Sequence, residues 1–129
     1  MINMYLFDTN ILIDHLKGLQ AATVVLQRCI ESKIRLACSV ITVTELMSGL
    51  RNEDEQQQLE LFLSGFEKLD VTLDIACQAG QYVNQFRKSH GVNIADAIIA
   101  ATAKLNNIKL YTLNTKHYPM SDITVIKPY

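Results

Sequence analysis

Hydrophobic positions along this chain follow two alternating habits. Short apolar runs of strand length occur at 3–8, 34–38 ("IRLAC"), 69–72, 108–112 ("IKLYT") and 123–127, and each reads as a buried strand. Between them the spacing turns helical. Leu59, Phe62, Leu63 and Phe66 recur at the 3.6 period, as do Ile75, Ala79, Val83 and Phe86. The stretch "IADAIIAATAKL" at 94–105 is apolar nearly all round, the pattern of a helix packed between neighbours, whereas "RNEDEQQQ" at 51–58 reads as a loop entering a solvated helix face. Strands that are apolar on both faces and alternate with helices imply an α/β fold with a mainly parallel sheet of four or five strands between helical layers. Ligands in that architecture sit beyond the carboxyl ends of the strands.

Composition narrows the reading. With 129 residues, 49% hydrophobic, 19% charged and only two prolines, residues 1–129 are expected to form one folded domain. The formal net charge of -1 excludes a broad basic face, so any nucleic-acid contact must be local or assisted by a cation. Cys29, Cys38 and Cys77 lie in apolar surroundings without C-x-x-C spacing, and are expected to be three buried thiols in a reducing cytoplasm. No uncharged apolar run reaches the length of a membrane span, so no membrane partner is expected.

The candidate chemistry lies in three acids at strand-to-helix junctions. Asp8 ends the run "YLF" and precedes the helical "ILIDHL". Glu45 follows "IRLAC" and is expected in the first turn of the helix "TVTELMSGL", where the helix dipole favours negative charge. Asp96 opens the buried helix 94–105, where an ionised carboxylate is costly unless a cation compensates it. Each acid also has a local structural role open to it. Asp8 can cap a helix, Thr42-x-x-Glu45 fits a capping box, and Asn93-x-x-Asp96 resembles a capped helix start. Asp74 resembles an N-cap, and Asp14 is expected to be exposed on the first helix. Convergence favours the chemical reading, because a parallel sheet gathers such junctions at one edge. Acid-rich oxygen sites suit Mg²⁺ or Mn²⁺, and the reaction implied is metal-assisted hydrolysis of a phosphodiester.

The segments "FDTNILID", "SVITVTELMSGL", "NIADAIIAATA" and "LYTLNTKHYP" resemble, in order, the motifs of PIN-domain ribonucleases, and most nearly those of the VapC toxins of bacterial toxin-antitoxin pairs. The resemblance implies a small α/β/α sandwich, often a homodimer. It implies that Asp8, Glu45 and Asp96 form an acidic cluster that binds Mg²⁺ or Mn²⁺ and cleaves RNA internally, and that a VapB-like antitoxin is the partner. Asn10, Thr112 and Asn114 match polar positions around the acids. Where the family's last motif commonly carries a fourth acid, this chain has His117, which can ligate a metal, accept a hydrogen bond, or be a plain loop histidine. A cation is expected between Asp8 and Asp96, with Glu45 helping to orient the attacking water and Lys116, Arg87 and Lys88 guiding the RNA backbone. An inhibitor is expected to present an arginine to the acids and to lie in an apolar groove around Leu12, Leu16, Leu46 and Leu50.

Three rivals compete with this reading. A receiver domain needs an acidic pair after the first strand, and a haloacid-dehalogenase-type phosphatase needs D-x-D where this chain has D-T-N. The third is a catalytically silent PIN-like module that only binds RNA or protein, a reading that His117 keeps open.

Overall fold

The structure is a computed structural model and describes residues 3–129. Five strands, β1 (Met4–Phe7), β2 (Arg35–Ser39), β3 (Phe66–Leu69), β4 (Lys109–Tyr111) and β5 (Val125–Ile126), form one sheet in the order β3-β2-β1-β4-β5. Every neighbouring pair is parallel. Six helices connect the strands: α1 (Thr9–Leu16), α2 (Gln20–Glu31), α3 (Val40–Ser48), α4 (Glu53–Leu63), α5 (Leu73–His90) and α6 (Ile94–Asn106).

Strand alternation sorts the core into two layers. Leu6, Ala37 and Leu110 point to one face and pack with Ile75, Ala79 and Tyr82 of α5 and the small residues of α6. Phe7, Leu36, Cys38 and Phe66 point to the other and pack with Ile11 and Leu12 of α1 and Leu26 of α2. The three-layer α/β/α sandwich expected from the pattern is therefore the observed one. The buried face of α6 (Ala97, Ala100, Ala101, Ala103) is small enough to lie close against both the sheet and α5. The α5–α6 corner is tight because Gly91 takes φ +65°, a left-handed conformation that ends α5 and leaves one buried residue, Val92, before the cap of α6.

Several expectations shift. The third strand lies at Phe66–Leu69 rather than 69–72. Helix α4 stops at Leu63, so Phe66 leaves the helical period and packs edge-on against Phe7 and Phe62, while Asp70 and Val71 become the approach to the Thr72 cap of α5. Glu67 and Lys68 are tolerated in β3 because it is an edge strand, and Glu67 pairs with Arg35 on β2. Thr72, not Asp74, caps α5. Asp14 is half-buried and accepts a hydrogen bond from Tyr129 Oη at 2.8 Å. Cys29 and Cys38 are buried, and burial pushes the Cys38 thiol up to about 11, but Cys77 is exposed on α5. Among the described residues no helix is long and apolar enough to cross a membrane.

Candidate active site

The strand order reverses between β1 and β4, and the crevice beyond their carboxyl ends is where this topology places a ligand. Asp8 extends the ladder by one bond, its N–H donating to Tyr111 O at 2.9 Å, which sets it beside Thr112. Its carboxylate is fixed by three donors. Oδ1 accepts from Thr9 N at 2.7 Å, and Oδ2 accepts from Thr112 Oγ1 at 2.7 Å and from Tyr118 Oη at 3.1 Å. Asp8 is thus both the N-cap of α1 and a wall of the crevice. Burial pushes its pKa up, against the pull of these donors, and neighbouring Asp96 pushes the same way.

Asp96 arrives from the opposite layer. Asn93 caps α6 through Asp96 N at 2.8 Å, as the spacing predicts, which puts Asp96 in the first turn at the positive end of the helix. Asp96 Oδ1 lies 3.5 Å from the same Tyr118 hydroxyl that serves Asp8. Its Oδ2 is buried and has no hydrogen-bond donor. His117 Nδ1 stands 3.2 Å from that oxygen but also 2.9 Å from Asn114 Nδ2. Nδ1 faces both groups at once, and the protonation of the ring sets whether it accepts from the Asn114 amide or donates to Asp96 Oδ2. Burial is the first cause raising the Asp96 pKa, and Glu45 adds to it, while His117 lowers it.

Glu45 sits in the second turn of α3, not the first, because Ser39 rather than Thr42 caps that helix through Ile41 N at 3.1 Å. Neither a capping box nor the helix dipole accounts for it. Instead Thr9 Oγ1 lies 2.7 Å from Glu45 Oε1 and 2.9 Å from Thr42 Oγ1. A carboxylate only accepts, so Thr9 donates to Glu45 and takes the Thr42 proton. The relay runs from fully buried Thr42 through Thr9 to an acid on the exposed side of α3. Thr9→Val keeps the shape and removes the relay, so it should lower stability by about 1–3 kcal/mol by leaving Thr42 unpaired. Urea denaturation measures this, and unchanged stability would show the relay to be idle.

All three acids, with Thr112, Asn114 and His117, therefore converge at one sheet edge. The Asn10 side chain is there in sequence, but its Oδ1 is buried without a partner. Thr9, Thr42 and Tyr118 are site residues that the sequence reading passes over. Their one visible signal is a hydroxyl in an otherwise apolar neighbourhood, as in "HYPM" and "VITVTEL". Burial pushes the Tyr118 phenol well above its ordinary range, so it keeps its proton and acts as a donor.

Among the described residues no three His, Cys, Asp or Glu side chains stand close enough to form a ready-made metal cage. The residues nevertheless fit a hard divalent cation of the kind that keeps most of its waters and takes one or two carboxylates. The donors are oxygens, and Asp96 Oδ2 is a buried anion oxygen without a hydrogen-bond partner.

The domain is thus a small parallel α/β/α sandwich whose switch-point crevice is walled by acids from three elements. The chain belongs to the PIN domain family, whose model matches residues 5–122. It is 41% identical over 118 residues to Ribonuclease VapC19 of Mycobacterium tuberculosis, a match covering 91% of this chain and 94% of that one. A toxin-antitoxin complex from Klebsiella pneumoniae contains a chain 34% identical to this one, with a TM-score of 0.76 over 97% of this chain and 98% of the other. DNA-bound VapBC from Salmonella typhimurium superposes over 100% of both chains with a TM-score of 0.84 at 26% identity.

Proposed function

We propose that this chain is a divalent-metal-dependent endoribonuclease that hydrolyses RNA phosphodiester bonds and serves as the toxin of a VapBC-type pair, held silent by a VapB-like antitoxin. The observation that carries the reading is the meeting of Asp8 and Asp96 on one hydroxyl, with an unpartnered buried oxygen on Asp96 and Glu45 tethered next door through Thr9. The ribonuclease name of the VapC19 relative and the toxin-antitoxin complexes among the structural neighbours support it.

Asp8 and Asp96 would hold Mg²⁺ or Mn²⁺, with Glu45 completing the set directly or through water. When bound, the cation acidifies water and screens the charge that builds on the phosphate. The remaining tasks fall to the chain itself. Glu45 is tied through Oε1, which leaves its other oxygen to orient the attacking water or accept its proton. The three donors on Asp8 stop its carboxylate from turning, so the acid is set before substrate arrives. Lys116, exposed on the short helical turn Thr115–His117, and Arg87 and Lys88, exposed at the end of α5, would guide the RNA backbone. A second copy of the chain would cover exposed apolar side chains such as Leu73 and Ile94, in keeping with a homodimer.

The test uses purified protein and a structured RNA with Mg²⁺, Mn²⁺ or excess chelator. Internal cleavage in either metal and none in chelator is expected. Undiminished cleavage in chelator, or intact RNA under every condition, would overturn the reading.

A further inference from the structure

Asp8 is nearly saturated. An ionised carboxylate offers about four lone-pair sites, and Thr9 N, Thr112 Oγ1 and Tyr118 Oη occupy three of those on Asp8. Two of these donors belong to the ordinary build of the crevice, one the helix cap and one the residue after β4. Tyr118 does not. It comes from the segment after the short helical turn, its ring is buried in the core cluster that includes Leu6, Ala97 and Met120, and among the described residues its hydroxyl alone reaches both Asp8 and Asp96. A phenol has one proton for two acids. At 3.1 Å from Asp8 Oδ2 and 3.5 Å from Asp96 Oδ1, that proton lies with Asp8, and Asp96 keeps only the longer contact on Oδ1 and no hydrogen-bond partner on Oδ2.

We propose that the Tyr118 hydroxyl is a positioning group that takes a cation's place beside Asp8 and Asp96, and so restrains the affinity of the site for divalent metal. The proposal rests on the metal-site reading given above. A hydrogen bond to a full carboxylate charge is about twice as strong as one to a neutral acceptor. Once a cation draws off that charge, the bond from Tyr118 weakens, although the buried ring cannot leave. The phenol therefore stabilises the metal-free protein more than the metal-bound one. Whatever favours one state of an equilibrium opposes the other by the same factor. Tyr118 also occupies an Asp8 oxygen that a cation could otherwise use, leaving only the open site on Oδ1.

Tyr118→Phe keeps the ring and removes only the hydroxyl. Calorimetric titration with Mn²⁺ should show the variant binding about tenfold more tightly than wild type, the factor that separates a charged from a neutral hydrogen bond. In chelator the variant should melt below wild type, because two neighbouring acids lose their common donor. Saturating Mn²⁺ should close that gap. Asp8→Asn, titrated alongside, separates the two possible failures. Wild-type binding that is absent, or that survives Asp8→Asn, would overturn the metal site and the proposal with it. Binding that needs Asp8 but is equal or weaker in Tyr118→Phe would overturn the proposal alone. If Tyr118→Phe does not fold, the ¹³Cζ resonance of Tyr118 in wild type decides. A shift on adding Mg²⁺ supports a hydrogen bond that weakens, and an unmoved resonance overturns it.

Discussion

Asp96→Asn should lose RNA cleavage by about a thousandfold or more, the scale of several kcal/mol of transition-state stabilisation, yet melt no lower than wild type in chelator. The two outcomes have one cause. Burial raises the Asp96 pKa above its ordinary 3.8, so the folded protein holds that proton more tightly than the unfolded chain does. The sign follows. Below 3.8 the carboxyl is neutral in both states and costs nothing. As pH rises from there through the raised folded value, ionisation is easier in the unfolded chain, and stability is lost. At neutral pH without metal the wild-type protein carries this cost. Asparagine has the same shape, keeps the backbone bond to Asn93, and replaces a buried anionic oxygen that has no hydrogen-bond partner with a neutral amide. Melting curves at mildly acidic and neutral pH should show the variant gaining on wild type by a few degrees as pH rises. A variant that loses ground with rising pH, or one that cleaves RNA at the wild-type rate, would show that Asp96 belongs to the scaffold alone.

The residues that sequence pattern places well are those whose role is set locally. The strand ending at Phe7, the Asn93 cap and the small buried face of α6 depend on neighbours a few residues away, and each lies where the pattern puts it. The third strand is misplaced because Phe66 satisfies the helical period of α4 and the strand period of β3 equally well, and only its packing on Phe7 decides between them. Cys77 is misjudged for a related reason. Its neighbours in sequence are apolar, but on α5 it faces away from Ile75 and Ala79.

At the acids the structure removes an opposition that sequence reasoning sets up. For Asp8, capping a helix and facing the crevice are not alternatives, because one oxygen caps α1 while the other accepts from Thr112 and Tyr118. Glu45 is legible as a candidate but not in its means of support, since nothing in the spacing of Thr9 and Glu45, 36 residues apart, announces their contact. His117 likewise lies between Asp96 and Asn114, a placement its loop sequence does not announce. Relays built from single hydroxyls at long sequence separation carry no periodicity, and so remain invisible until the sheet closes.

Leu16→Glu should leave nuclease activity intact and make it resistant to the proposed antitoxin, weakening inhibition by about a hundredfold or more, as expected for a charge placed at the centre of an apolar contact. The groove expected from the sequence exists with one correction. Leu16, Leu46 and Leu50 line a cavity of about 500 Å³ together with Ile13 and Leu59, whereas Leu12 is fully buried in the core and forms no part of its wall. Glu45 belongs to the same lining, so the groove runs into the acidic crevice. An inhibitor lying in it with apolar side chains can therefore offer a guanidinium to the carboxylates without leaving the surface. Leu16 is the wall residue to alter because it is 46% exposed and polar replacement there costs the fold little, whereas Leu46 is 7% exposed. Titrating the two proteins with the product of the neighbouring gene, and following RNA cleavage, gives both inhibition curves. Coincident curves would place the inhibitor elsewhere on the molecule, and loss of cleavage in Leu16→Glu without inhibitor would show that this wall serves the catalytic crevice itself.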